Sequence, residues 1–289
     1  MCRFPQGVEH GRQAITLLER TEERWWLGQS YWAVGLNYTF MGECEPAMEA
    51  VTRAYTIGEA IGNTRLQTYA MWAIGWVYAT RGDWQAGVAA CQHSLEHSVD
   101  PINTACALGW MGYAYLEKGD PGQAIPVLEQ SIEGCIQVQY RGLQGWFTAW
   151  LSDAYLLNHQ IEQAHNTALQ GLDIARDVKN GYTVGWTTRA LGRITQARGA
   201  FAEAAGHLQE ALVTFASIQS RLEVGRTHLD LAALAHAQGH PEATAAHCHA
   251  AYAVFTALPH PMYVERTAQR ASEYGVVLAA VAQVQSDGQ

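Results

Sequence analysis

The strongest constraint in this sequence is an internal repeat of about forty residues. Apolar segments recur along the chain, and each has one small residue near its middle. These small residues are Gly35, Gly75, Gly112, Ser152, Gly192 and Ala232. The intervals between them are 40, 37, 40, 40 and 40 residues. A unit of this length can bury its apolar face only by stacking on its neighbours, so the chain is expected to be a repeat array.

Each unit has the pattern of two antiparallel helices joined by a tight turn. In "IGWVYATRGDWQAGVAACQHS", residues 74–94, Gly75 is followed by the small residues Gly87 and Ser94, which allow two helices to approach closely. Tyrosine recurs three positions after the small residue, at Tyr38, Tyr78, Tyr115 and Tyr155. No alternating β-branched run occurs anywhere in the chain. The sequence therefore predicts an all-α protein.

The turn between the two helices has its own chemistry. In Gly82-Asp83 and Gly119-Asp120, the glycine suits the left-handed position after a helix and the aspartate suits the N-cap of the next helix. Pro121 fits the first turn of a helix, where no backbone N–H is needed, and Pro241 does the same in the last unit.

This combination resembles the tetratricopeptide (TPR) repeat. The resemblance covers nearly the whole chain and implies a right-handed α-solenoid of stacked antiparallel helix pairs. The period is 40 residues instead of the usual 34, so each pair would be longer by about a turn and a half. Long units of this kind resemble the C-terminal arrays of bacterial multidomain signalling proteins, which follow a nucleotide cyclase or an ATPase switch. The resemblance implies a recognition module that acts as a sensor or scaffold region.

The repeat also predicts the domain organisation. Residues 7–14 align with residues 47–54, so residues 1–24 are expected to be the second helix of an incomplete repeat. Residues 261–289 should form a capping helix and tail. Six repeats are expected between these ends, at 25–62, 64–99, 101–139, 141–179, 181–219 and 221–258. The half-repeat at the start predicts either a fragment of a longer protein or a further element that covers this end.

Composition excludes several classes of partner. The chain has 18 basic and 27 acidic residues and a formal net charge of −9, which disfavours nucleic-acid binding. No apolar run reaches the length of a membrane span. The six cysteines form no CxxC pair, which favours reduced thiols in the cytoplasm. Twelve histidines occur without an HExxH or CxxC motif, so no metal and no cofactor is expected.

Aromatic residues dominate one face of the first helices. When the small residue of each repeat is numbered 8, positions 2, 5, 9 and 12 lie opposite the core positions 4, 7, 8 and 11. In a stacked solenoid this opposite face lines the concave groove. The residues found there are Trp32, Leu36, Trp72, Trp76, Tyr113, Trp146 and Trp186. We expect these side chains to be binding anchors in an open channel, while Trp110 and Trp150, at position 6, pack between neighbouring first helices.

Two other interpretations of the aromatic face stay open at this stage. In a tight superhelix the tryptophans would pack against one another and become core. The apolar tail at residues 275–284 could instead fill the channel. Either arrangement would favour a structural or oligomerisation scaffold with a self-filled groove.

The same face becomes basic in the last third of the chain. The residues concerned are Arg189, Arg193, Arg226, Asp230, Arg266 and Arg270. Converging guanidinium groups suit a carboxylate or a phosphate, because each can bind two oxygens at once. The pattern resembles the carboxylate clamp of chaperone-binding TPR domains, although that family has Asn where Arg193 and Asp230 stand here. The alternative is a solvated network in which the arginines pair with Asp153, Asp230, Glu265 and Glu273.

No catalytic motif accompanies these residues, so the chain is not expected to be an enzyme. A catalytic groove with Asp153 as the base is the less favoured alternative. The expected partner is a protein or peptide segment, or a small ligand, that carries an acidic group or a C-terminal carboxylate. Self-association is left open.

Overall fold

The computed structural model describes residues 3–278, and in that range the chain forms fourteen α-helices and no β-strand. The helices are α1 Phe4–Leu18, α2 Arg24–Met41, α3 Cys44–Ala60, α4 Thr64–Arg81, α5 Trp84–Glu96, α6 Pro101–Lys118, α7 Pro121–Gln137, α8 Arg141–Leu157, α9 Ile161–Asp177, α10 Gly181–Ala197, α11 Phe201–Ser217, α12 Arg221–Ala237, α13 Pro241–Ala257 and α14 Pro261–Glu273. None of these helices is long and apolar enough to cross a membrane.

The helices stack as antiparallel pairs, each packed on the next. Small residues set the spacing within a pair. A Cβ atom added at Gly75 of α4 would lie 2.7 Å from the Sγ of Cys91 and 2.9 Å from the carbonyl oxygen of Gly87, both on α5. The predicted all-α solenoid of TPR-like pairs is confirmed.

The turns follow the predicted chemistry with one exception. Gly82 and Gly119 end their helices with φ of +104° and +82°. The Asp120 carboxylate caps α7 by accepting a hydrogen bond from the backbone N–H of Gln123 at 3.3 Å. Asp83 makes no such bond at the start of α5, because its carboxylate pairs with Arg81 at 2.5 Å. Asp83 therefore occupies the predicted N-cap position, but its carboxylate does not cap the helix.

The superhelix closes on itself within the length of this chain. The Oγ of Ser220 donates a hydrogen bond to the carbonyl oxygen of Phe40 at 2.7 Å, across 180 residues. The Nε2 of His260 lies 3.0 Å from the carbonyl oxygen of Thr80, also across 180 residues, and must donate because a carbonyl only accepts. The first two repeats thus contact the sixth repeat and the last helix, which leaves little width for a central channel.

Aromatic side chains from the first helices fill the middle of this closed turn. The Phe40 ring of α2 lies 4.9 Å from the Trp146 ring of α8 and 4.9 Å from the Tyr182 ring of α10. These helices are not sequence neighbours, so the contacts cross the concave side. Trp76 and Trp110 stack at 4.1 Å in the same group. We call this group the aromatic cluster: Phe40, Trp72, Trp76, Trp110, Tyr113, Trp146, Trp150, Tyr182 and Trp186.

The aromatic cluster corrects the expectation of an open channel. The predicted anchors Trp72, Trp76, Tyr113, Trp146 and Trp186 are between 0% and 8% exposed. They point inward from the first helices, and the tight winding packs them against one another. Only two of the predicted channel residues stay partly exposed, at the edge of the cluster: Trp32 and Leu36. The expectation that Trp110 and Trp150 pack between first helices is confirmed.

The first residues of the C-terminal tail pack on the last helices. Val276 and Leu278 pack on Ala232, Cys248 and Ala271, between the last helices. Residues 279–284 of the apolar tail lie outside the described residues, as do residues 1–2 and the rest of the tail to residue 289. The cysteines within the described range are free thiols.

Candidate functional site

The open part of the concave face lies between α6, α8, α10, α12 and α14. A cavity of about 630 Å³ is bounded by Arg193, Arg226, Arg266 and Arg270. A second space of about 340 Å³ shares three of these arginines and reaches inward to Glu117. We call the two together the arginine cavity. Every sequence-predicted residue of the basic end lines it: Asp153, Arg189, Arg193, Arg226, Asp230, Arg266 and Arg270.

Arg189 forms the innermost wall and is part of the protein's own structure. It is 1% exposed and pairs with Glu223, also 1% exposed, at 2.6 Å. Its guanidinium lies over the Trp186 ring at 4.6 Å, which is a cation–π contact. A buried pair of this kind neutralises both charges, and removing either partner would leave the other uncompensated. Arg189 therefore supports the wall of the cavity.

Asp153 and Asp230 flank Arg193. One Asp153 oxygen accepts a hydrogen bond from the Trp186 indole N–H at 2.7 Å, and the other accepts from Arg193. Both oxygens of Asp153 therefore accept hydrogen bonds from the protein itself. Asp230 lies 3.9 Å from Arg193 and 3.7 Å from Arg189. Burial raises the pKa of Asp230 above its usual value, although the nearby arginines oppose this shift.

Glu117 is the centre of a second network and was not among the predicted site residues. Its carboxylate is 4% exposed, and it accepts hydrogen bonds from Arg226 at 2.5 Å and from the Tyr263 hydroxyl at 3.0 Å. Arg266 lies 3.9 Å away. Burial favours the neutral acid, but Arg226 and Arg266 outweigh burial and lower the pKa of Glu117 below 4.5. The group is therefore a carboxylate at neutral pH.

A periodicity signal for Glu117 exists in the sequence. The residue stands eleven positions after position 2 of its repeat, and eleven residues of helix rotate by about 1100°, or about 20° beyond three full turns. Position 13 therefore shares the groove face with position 2. Tyr263 stands three residues before Arg266, a spacing that also places two side chains on one helix face. No such pattern reveals that α6 and α14 meet.

The rim of the cavity differs from its interior. Arg266 and Arg270 are 38% and 59% exposed and lie four residues apart on α14. Arg266 donates to the backbone oxygen of Glu117 at 3.2 Å, and Arg270 donates to the Tyr274 hydroxyl at 3.4 Å. Their closest carboxylate contacts are both 3.9 Å. The rim arginines are thus the guanidinium groups that are free to take up further acceptor oxygens.

The predicted solvated network is correct in part. Asp153, Asp230 and Glu273 do lie beside the arginines, as that alternative expects. Most of the network is buried instead of solvated, and Glu117 and Glu223 take the role that was expected of Glu265. In the part of the chain that the structure describes, no group of three or more His, Cys, Asp or Glu side chains is arranged to hold a metal ion.

Comparison with known proteins supports the fold assignment. No family model and no curated protein matches this sequence. Among solved structures, a Rap protein complexed with Competence and Sporulation Factor superposes with a TM-score of 0.71 at 14% identity, over 92% of this chain and 72% of its own. The apo form of RapI gives 0.63 at 14% identity, over 92% of this chain and 93% of its own.

A third solved structure contains an explicit TPR region. It is a Signal Transduction ATPase with Numerous Domains (STAND) protein with a tetratricopeptide repeat sensor, from Pyrococcus horikoshii. It superposes with a TM-score of 0.60 at 16% identity, over 93% of this chain and 43% of its own. At these identities the likeness shows the fold. The resemblance to TPR-repeat proteins is confirmed at that level.

Proposed function

We propose that this chain is a non-catalytic recognition module that binds a peptide or protein segment in the arginine cavity, as the sensor or scaffold region of a larger cytoplasmic signalling protein. One observation carries the proposal. Arg266 and Arg270 face a cavity whose inner arginines already have carboxylate partners, while they themselves make no hydrogen bond to a carboxylate.

The rim arginines suit an acidic group on the partner. A guanidinium binds two oxygens of one carboxylate in a fixed geometry, and two guanidinium groups one helical turn apart can hold the same group. The cavity volume of about 630 Å³ lies within the range of about 300–1,000 Å³ that is typical of ligand sites. Leu157, which is 44% exposed, lines the cavity and supplies apolar surface for the segment.

The aromatic residues have a supporting role in this proposal. Trp186 holds Asp153 and lies under Arg189, so the aromatic cluster gives the cavity a rigid wall. Of the predicted channel residues, Trp32 and Leu36 stay partly exposed, at the far edge of the cluster. The structural neighbours also support a recognition role. One is a Rap protein in complex with a factor, and another is a STAND protein whose TPR region is described as a sensor.

Fluorescence anisotropy with a defined probe tests the proposal. The probe is the fluorescein-labelled peptide Leu-Leu-Glu-Glu-Leu-Leu-Glu-Glu, and the comparison peptide has Gln at each Glu. We expect the acidic peptide to bind and the Gln peptide to bind at least about tenfold more weakly, the factor that corresponds to 1.4 kcal/mol. Binding should weaken with added salt, since the rim arginines are exposed to solvent.

Matched variants locate the site. Replacing Arg266 and Arg270 together by Gln should lower the affinity for the acidic peptide at least about tenfold, because charge-assisted hydrogen bonds contribute about 1.5–3 kcal/mol. Arg176→Gln is the control, since Arg176 is exposed on α9, away from the cavity. Equal binding of both peptides, or equal loss in the control, would overturn the proposal.

The filled concave side favours one other candidate function, a structural or oligomerisation scaffold. The aromatic cluster removes most of the predicted binding surface, so contacts would then be made by the convex face. Light scattering across a hundredfold range of protein concentration distinguishes the two. A recognition module should keep one mass, and a scaffold should associate as the concentration rises.

A further inference from the structure

The arginine cavity has an internal occupant that imitates a bound acidic group. We propose that Glu117 holds, in the free protein, the position that an acidic side chain of the partner takes on binding. Binding would then exchange one carboxylate for another and release α14 from α6. This inference rests on the proposed function, and it names the chemistry of the ligand and the way in which binding couples to the shape of the superhelix.

The first support is the donor set around Glu117. Arg226 and Tyr263 donate to one carboxylate and Arg266 lies 3.9 Å from it, and these residues come from α12 and α14, between 109 and 149 residues away in sequence. Two guanidinium groups and one hydroxyl can together bind the oxygens of a single carboxylate. None of these donors depends on α6 for its place on its own helix. The same set can therefore serve a carboxylate from another chain.

The second support is access. The inner space of about 340 Å³ is bounded by Glu117, Arg226 and Arg266 together. Arg226 is 13% exposed and Arg266 is 38% exposed, so both guanidinium groups present atoms to the open side of the cavity. An incoming carboxylate can thus approach the donors of Glu117 without passing through the aromatic cluster. Arg270, on the rim, lines the outer cavity through which the carboxylate would enter.

The third support is the position of Glu117 in the closed superhelix. Among the contacts that join the first three repeats to the last helices are the hydrogen bonds from Ser220 to Phe40 and from His260 to Thr80, and the group around Glu117. The group around Glu117 pairs a carboxylate with a guanidinium, so an ionic ligand can replace it. A ligand shifts a conformational equilibrium only through a difference in its affinity for the two states. Exchange at Glu117 supplies that difference in affinity. The ligand can form ion pairs with both Arg226 and Arg266 only in the state in which Glu117 has moved away from them.

Chemical rescue tests the exchange. Glu117→Ala removes the internal carboxylate and leaves room for a small one. We expect sodium acetate at about 100 mM to raise the thermal midpoint of Glu117→Ala more than an equal concentration of sodium chloride does, since a ligand that binds only the folded state stabilises it. Acetamide, which is neutral, should have no such effect. Wild type and Glu133→Ala, at an exposed position on α7, should not respond to acetate.

A second variant covers the case in which Glu117→Ala does not fold. Glu117→Gln keeps the shape and removes the charge, so it should bind the acidic peptide at least about tenfold more tightly than wild type, a gain of 1.4 kcal/mol. No acetate effect in folded Glu117→Ala, or unchanged peptide affinity in Glu117→Gln, overturns the exchange. Peptide binding by wild type with no gain in Glu117→Gln would leave the proposed function in place. Acetate rescue without any peptide binding would support a carboxylate site at the position of Glu117 and would overturn the proposed function.

Discussion

Truncation of Trp72 is the sharpest test of whether the aromatic face is surface or core. The side chain is 4% exposed and lies between two other indoles, with ring centroids 5.6 Å from Trp32 and 5.6 Å from Trp110. Its indole N–H donates a hydrogen bond at 3.0 Å to the side-chain oxygen of Asn103, which is itself fully buried. An anchor in an open groove would have neither the enclosure nor the internal partner.

The expected cost follows from these contacts. Replacing a buried Trp by Ala typically costs about 3–5 kcal/mol of unfolding free energy, through lost burial and the cavity that remains. Trp72→Phe keeps most of the ring but leaves the Asn103 oxygen without its donor, so we expect about 1–3 kcal/mol for this variant. Tyr78 is only partly buried, and Tyr78→Ala should cost about 1–2 kcal/mol.

Urea unfolding monitored by far-ultraviolet circular dichroism measures the three values. Repeat arrays can unfold in steps, so tryptophan fluorescence should be followed in parallel and the two transitions compared. Trp72→Ala should lose the most unfolding free energy, and Trp72→Phe and Tyr78→Ala should lose less. If Trp72→Ala unfolds at the same urea concentration as wild type, the side chain is not core, and the filled concave side is the wrong description.

Three further predictions use the same unfolding assay. Gly75→Ala should lower stability by about 1–3 kcal/mol because its Cβ would meet α5. Gly206→Ala, whose Cβ meets nothing within 4 Å, should raise stability by about 0.5–1 kcal/mol, and shifts of the same sign would contradict this reasoning. Glu117→Gln should cost about 3–5 kcal/mol at pH 7, because it leaves Arg226, which is 13% exposed, without its closest carboxylate. Because the pKa of Glu117 is lowered on folding, its carboxylate stabilises the fold above pH 4.5, and this contribution is lost as the pH falls through the lower pKa of the folded state. The unfolding free energies of wild type and Glu117→Gln should therefore converge in acid. Burial lowers the pKa of His260 below 6.5, so stability should fall as the pH drops through the folded value, and His260→Gln should reduce this slope. An unchanged slope would show that protonation of His260 does not oppose folding.

The fold could be predicted from the sequence because its determinants are local. The 40-residue spacing, the small residue at Gly75 with its partner Gly87, and the turn glycines act within one helix pair or between adjacent pairs. The face of the helix on which a side chain lies could be predicted for the same reason. Helical periodicity alone placed Trp72 and Arg266 on the concave face, and both lie there. Contacts within a repeat and with its neighbour decide these features, and such contacts leave a pattern at short sequence distance.

Whether the concave side is open was decided only by the tertiary structure. The small rotation between successive repeats accumulates until Ser220 reaches Phe40, and no single repeat encodes that sum. The same closure brings Glu117 to Arg226, 109 residues away, and turns predicted ligand-binding arginines into members of internal ion pairs. The sequence shows which side chains point inward. Only the pitch of the superhelix determines whether they meet a partner or one another.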